Sequence, residues 1–246
     1  MLAIPMCWCA GNANFGDWIG PYLVGQITGR PVVNTGSSPG VLITAGSILN
    51  WATAGAVVWG AGLANLTDEV DPRAEIHAVR GPLTREIALK CGAECPEVYG
   101  DPALLLPRFI PKPDGKLYDI GIVPHYKDYP VVSRFFSRKH RVQVIDVLRP
   151  VPDVVADIAA SSVIWSSSLH GLIVADAYGI WNRWVTFSDS VLGDGTKFHD
   201  HFLATGREVC DPHNLYWHDP EPQGFSAADP DKIAQLQAGL WNSKPF

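Results

Sequence analysis

Short apolar runs alternate along this chain with longer stretches whose apolar residues recur at helical spacing, and turn residues separate the two. In the first half the pattern predicts strands at 2–9, 32–33, 41–44, 57–59, 75–79 and 98–99, with helices at 18–28 and 82–90. Gly29 and Pro31 stop the first helix, and Pro82 suits the opening turn of the second, where a missing N–H has no cost. A charged, proline-rich stretch at 107–116 then breaks the rhythm and reads as a linker. The pattern restarts with a strand at 119–124, a helix at 131–139, a strand at 142–146 and a helix at 151–160. A buried strand at 163–165, a helix at 172–178 capped by Gly179, an irregular stretch at 211–226 and a last helix at 229–240 complete it.

Strands alternating with helices are the mark of an α/β fold built on parallel sheets. The expectation is two Rossmann-like domains facing a cleft, an N-terminal one over 1–110 and a C-terminal one over 117–246. A ligand would then lie between them, at the carboxyl ends of the strands.

With 246 residues, 47% hydrophobic and 18% charged, the chain can bury the core such a fold needs. A net charge of −6 argues against a protein that wraps nucleic acid, yet leaves room for a local basic pocket. The five cysteines form no disulfide framework, and Cys91 with Cys95 lack a second Cys/His pair at metal-ligand spacing. All five read as small apolar residues buried in a reducing compartment, and no metal site is expected. No apolar run reaches transmembrane length, and the first residues lack the basic and apolar regions of a signal peptide.

Four segments place polar or charged residues where strands end. Asn14-Phe15-Gly16-Asp17 precedes a helix, so Asn14 or Asp17 either caps it or meets substrate, Asp17 binding or deprotonating a sugar hydroxyl. Gly60-Ala61-Gly62 is a tight turn or an anion-accepting loop, without the full dinucleotide fingerprint. Arg80, at a strand end beside a helix start, suits a phosphate or carboxylate, or else pairs with Asp101 or a carbonyl at the surface. Asp101, between Gly100 and Pro102, is equally a turn residue. Last, Ser166-Ser167-Ser168-Leu169-His170-Gly171 holds a histidine at a strand-to-helix turn, placed for proton transfer or for capping the helix. Ser168 as a nucleophile lacks the G-x-S-x-G elbow.

Together and in this order, N-F-G-D, R-G-P-L-T, G-D-P-A-L-L-L-P and S-S-L-H-G-L-I-V-A-D-A-Y-G-I resemble the polysaccharide pyruvyl transferase family over roughly 12–206. Lys197-Phe198-His199-Asp200-His201-Phe202 is similar to the family's K-F-x-D-Y-F stretch. The resemblance implies a fold similar to the two-domain GT-B glycosyltransferases, with the N-terminal half on the acceptor side. It implies phosphoenolpyruvate (PEP) as co-substrate in place of any cofactor, and a ketal formed on a sugar of an exopolysaccharide or cell-surface glycan. It also implies that His170 matches the essential histidine. Many members carry an arginine at the end of the first strand of the second half, where this chain has Pro124-His125-Tyr126-Lys127. His125 or Lys127 is the expected substitute. Work in the cytoplasm, at the inner face of a membrane where the acceptor is lipid-linked, follows from the same resemblance.

PEP is an enol ether whose C3 must take a proton before C2 becomes electrophilic. His170 is the expected acid and Asp17 the group that activates the acceptor hydroxyl. Arg80, His125, Lys127 and Lys197 are the expected anion contacts, with Asn14, Asp101 and Ser168 as further substrate contacts. Of the tryptophans, Trp18, Trp51, Trp59 and Trp165 read as packing, and Trp181 and Trp184 as acceptor contacts. Two rivals remain: a nucleotide-sugar glycosyltransferase of the same architecture, and a non-catalytic carbohydrate-binding protein.

Overall fold

A computed structural model describes residues 2–11, 14–136, 138–189, 193–215 and 225–246. In the first half, β1 (Ile4–Cys7), β2 (Val32–Asn34), β3 (Leu42–Ile43), β4 (Val57–Trp59) and β5 (Glu75–Ala78) pair in the order β2-β1-β3-β4-β5. Every pairing in this sheet is parallel. Helices α1 (Phe15–Thr28) and α2 (Pro82–Lys90) follow β1 and β5. In the second half, β6 (Tyr118–Val123), β7 (Val142–Val144), β8 (Ser161–Ser166), β9 (Trp181–Thr186) and β10 (His213–Asn214) form a second parallel sheet, ordered β10-β9-β8-β6-β7. Its helices are α3 (Tyr129–Phe136), α4 (Val151–Ala159), α5 (Leu169–Ala177) and α6 (Thr196–Thr205), and α7 (Pro230–Asn242) ends the chain. Two five-stranded parallel sheets with helices between strands are what a Rossmann-like reading requires. No helix among the described residues is long and apolar enough to cross a membrane.

The departures from the sequence reading have physical causes. The 107–116 stretch is not all linker: Pro102–Arg108 is a 3-10 helix in which Leu104, Leu105 and Leu106 are fully buried. The apolar run pulls the chain inward, and continuous exposure begins only at 111. The strand at 98–99 shrinks to a single bridge between Val79 and Tyr99. β9 is absent from the pattern because Asn182 interrupts it, yet Asn182 points inward, wholly buried, and donates to Asp176 Oδ1 at 2.7 Å. α6 is hidden for the same reason: Asp200, His201 and Thr205 on its inner face are polar, buried and bonded. β10 falls in the stretch expected to be irregular, of which 216–224 lies outside the described residues. The first helix starts at Phe15 rather than 18, and the helix bearing His170 starts at Leu169 rather than 172. All five cysteines are free, but only Cys7 and Cys95 are buried, and Cys210 is exposed.

One core runs through both halves. The residues of α1 and the 3-10 helix pack with those of α4 and α5, so the two sheets are joined by apolar contact as well as by the connecting chain. The last helix returns to the first half. Trp59 Nε1 donates to the Leu240 carbonyl at 3.0 Å and Gln237 Nε2 to the Leu104 carbonyl at 2.8 Å. Gly100, at φ 130°, takes a backbone form open to glycine, and a Cβ there would lie 2.7 Å from Leu240 Cδ1.

Candidate active site

β8 ends at Ser166, and the turn into α5 is assembled from the serines. Ser166 Oγ accepts from Ser168 N–H at 3.0 Å and lies 2.7 Å from the Ser168 carbonyl. Ser167 Oγ accepts the His125 N–H at 2.8 Å, which ties the end of β6 to the end of β8. Gly171 has no room for a side chain, since a Cβ would sit 2.3 Å from Ser166 Oγ. Ser168 is the N-cap residue, but its hydroxyl makes no capping bond. The turn delivers His170, 8% exposed, to the first turn of α5 at the carboxyl edge of the sheet.

Asp101 approaches this histidine from the other half. It is fully buried at the head of the 3-10 helix, where its Oδ1 accepts from Ala103 N–H at 2.9 Å. Its Oδ2 stands 3.5 Å from His170 Nε2. Burial alone would raise this carboxyl, but the positive charge of His170, the Ala103 N–H and the charge of Arg80 hold it below the usual carboxylate range.

Two further groups face the pair. Asp17 lies in the first turn of α1, whose N-terminus is capped by Asn14 accepting from Gly16 N–H at 3.1 Å. Burial pushes Asp17 above the usual range, against the pull of the His170 and Lys197 charges. Lys197, on α6, is driven down to about 8 by burial and by Arg80, while Asp17 opposes the shift. Asp17, His170 and Lys197 thus lie within electrostatic reach of one another, contributed by α1, α5 and α6.

Arg80 is not a surface residue and does not bond Asp101. It is fully buried: Nε donates to Asp200 Oδ2 at 3.2 Å, Nη1 to Ser47 Oγ at 2.8 Å and Nη2 to the Leu63 carbonyl at 2.5 Å. Gly62 carries no side chain because a Cβ would meet the guanidinium carbon at 2.3 Å. Asp200 also accepts from Leu83 N, Thr84 N and Thr84 Oγ1, at 2.9, 3.1 and 2.6 Å. It therefore caps α2 from another domain and neutralises Arg80 at once. At Gly81 a Cβ would lie 2.2 Å from the Asp200 carbonyl. This accounts for two sequence stretches together, since R-G-P-L-T and K-F-H-D are the two sides of one contact. Sequence reading quoted Asp200 without giving it a part; its signal was the co-occurrence of the two stretches.

His125 is partly buried at the end of β6 and lies against Tyr126, the rings tilted by 36° with centroids 4.3 Å apart. Burial and the nearby charge of Lys197 lower it, and Asp128 opposes them. Lys127 is exposed at the rim. Asp128, which no sequence signal marked, is 7% exposed and bonds Ser188 Oγ at 2.5 Å. Trp59 and Trp165 are core residues as expected, whereas Trp18 and Trp51 are 40% and 41% exposed. Trp181 is 57% exposed; Trp184 is buried, stacked on Phe198 at 4.1 Å, beside a pocket of about 320 Å³ that Thr186, Ser188, Asp194 and His199 also line.

The structure therefore brings Asp101 to His170, sets Asp17 within electrostatic reach of His170 and Lys197, and sets Lys197 near His125, with Arg80 buried behind, Lys127 exposed and Asn14 capping α1. A polysaccharide pyruvyl transferase family model matches residues 10–189 of the chain. An uncharacterized protein of Acanthamoeba polyphaga mimivirus is 32% identical over 171 residues, 66% of this chain and 59% of that protein. The succinoglycan biosynthesis protein ExoV of Rhizobium meliloti (strain 1021) is 30% identical over 215 residues, 80% of this chain and 63% of that protein. The chain thus spans about three fifths of the length of the curated relatives it matches. No solved structure matches it. The matched span runs from the start of α1 through β9 and takes in the N-F-G-D, R-G-P-L-T, G-D-P and S-L-H-G stretches, and the chain belongs to the polysaccharide pyruvyl transferase family.

Proposed function

We propose that this chain moves the pyruvyl group of PEP onto two hydroxyls of a sugar, closing a cyclic ketal and releasing phosphate. The observation that carries the reading is the meeting of Asp17, His170 and Lys197 at the carboxyl edge of two parallel sheets. A titratable ring, a carboxyl raised by burial and a buried ammonium are the groups that such a reaction needs.

His170, as imidazolium, gives its proton to C3 of PEP, and C2 becomes the electrophile. One sugar hydroxyl adds to C2 with Asp17 accepting its proton, which His170 recovers. The second hydroxyl then displaces phosphate, and its proton leaves with the phosphate. Lys197, with His125 and Lys127, faces the phosphate and carboxylate. Arg80, already committed to Asp200, Ser47 and Leu63, holds the start of α2 against α6 and does not touch PEP. The two facing sheets are read as a GT-B-like pair, the acceptor as a glycan repeat unit, and the place of work as the cytoplasmic side of a membrane.

Calorimetry separates this reading from its rivals. PEP should bind the purified protein and inorganic phosphate should compete with it. Binding of a uridine or guanosine diphosphate that PEP fails to displace would assign glycosyl transfer instead.

A further inference from the structure

The ring of His170 has two unlike neighbours. At Nε2 stands Asp101, whose carboxylate is fully buried and fixed: Oδ1 takes Ala103 N–H at 2.9 Å, and Oδ2 takes Gly46 N–H at 3.4 Å. Nε2 is itself buried and has no hydrogen-bond partner among the described residues, its separation from Oδ2 being 3.5 Å. At the opposite edge of the ring lies Gly16, in the first turn of α1. A Cβ built on Gly16 would fall 2.2 Å from Nδ1, 2.8 Å from Cγ and 3.0 Å from Cε1. Only glycine lets α1 pass this close to Nδ1 without covering it with a side chain, in a helical turn where its conformational freedom is not needed and has a stability cost.

We infer that His170 exchanges its proton through Nδ1, and that Asp101 is the positioning residue that makes it do so by holding Nε2–H. The inference rests on the reading of His170 as the proton donor. A neutral imidazole carries one N–H, and a carboxylate beside one nitrogen keeps the N–H there. Nδ1 is then left with the lone pair that takes back the acceptor's proton. The charged groups acting on the ring are Asp101 at Nε2 and Asp17 from α1. Of the two, Asp101 alone stands at a ring nitrogen and selects the tautomer. The 3.5 Å gap is long for a hydrogen bond, as such contacts commonly are before substrate closes them.

The deciding experiment is ¹⁵N NMR of histidine-labelled protein, with His170→Ala used to assign the resonance. Above its titration the wild-type ring should be the Nε2–H tautomer. An Nδ1–H tautomer overturns the inference and needs no active assay to do so, so this result stands apart from the failure of pyruvyl transfer itself. Asp101→Asn should move the neutral ring toward the Nδ1–H tautomer and reduce kcat by about 10²–10⁴-fold, with the KM for PEP unchanged. A raised KM with kcat intact would make Asp101 a substrate contact and reject the positioning role. Gly16→Ala, which pushes a methyl onto Nδ1, should lose activity to a similar degree. Full activity in this variant also contradicts the inference.

Discussion

Helix α5 carries a histidine–aspartate pair at each end, and the two pairs are built to opposite ends. At its C-terminal end Asp176 Oδ2 meets His201 Nε2 at 2.8 Å, and the same carboxylate takes Arg207 Nη1 at 2.9 Å and Asn182 Nδ2 at 2.7 Å. Both side chains are essentially unexposed, and Arg207 goes on to bond Asn182 and Ser226. Asp176 is held below the usual carboxylate range, since its bonds to His201 and Arg207 outweigh its burial. At the N-terminal end Asp101 and His170 stand 3.5 Å apart, with Nε2 buried and unbonded. A densely bonded network rigidifies a core, whereas a loosely held pair leaves its ring free for chemistry. Residue type and burial alone do not tell a structural histidine from a chemical one. The number of bonds already made does.

The comparison can be broken most sharply at the two ends of α5. His170→Ala should cost about 10²–10⁴-fold in kcat with little change in unfolding midpoint, as a deleted general acid does. Asp176→Ala should act in reverse. It strands the buried Arg207 charge, so urea unfolding should show a loss of about 3–5 kcal/mol. Equal stability losses in both variants would erase the distinction.

Lys197 gives a smaller effect with a direction. Its folded pKa is depressed to about 8, so its charge is present below that pH and lost as pH rises through it. The KM for PEP should therefore rise above about pH 8, and Lys197→Met should raise it by about tenfold at pH 7 and flatten the dependence. The smallest change expected is at the Arg80–Asp200 cluster. Thr84→Val removes one of the four donors on Asp200, and should cost about 1 kcal/mol of stability while leaving kcat unaltered.

How much of this the sequence disclosed follows from the same contrast. Parallel-paired strands such as β1, β4 and β6 were legible because their inward ends are runs of apolar residues. β9 and α6 were not, because their inward positions are held by Asn182, Asp200 and His201, which enter the core through bonds to partners remote in sequence. The site divides likewise. His170, Asp17 and Lys197 could be named from their motifs, and the structure sets His170 and Lys197 within electrostatic reach of Asp17. What the motifs could not say was which partner each side chain has. Arg80 looks like an anion clamp in sequence and is a buried structural ion pair with Asp200 in space. Asp101 looks like a turn residue and is the neighbour of the catalytic candidate. Gly16 carried no chemistry in the sequence at all, and only the contact with Nδ1 gives it a part.

The most direct test of the central claim is to incubate the protein with PEP and a panel of free and lipid-linked oligosaccharides, following phosphate release and product mass together. The account predicts phosphate release that depends on an acceptor, a product heavier by one pyruvyl ketal, and loss of both in His170→Ala. Acceptor-dependent turnover that survives in His170→Ala, or a glycosyl product formed from a nucleotide sugar with PEP left intact, would contradict it.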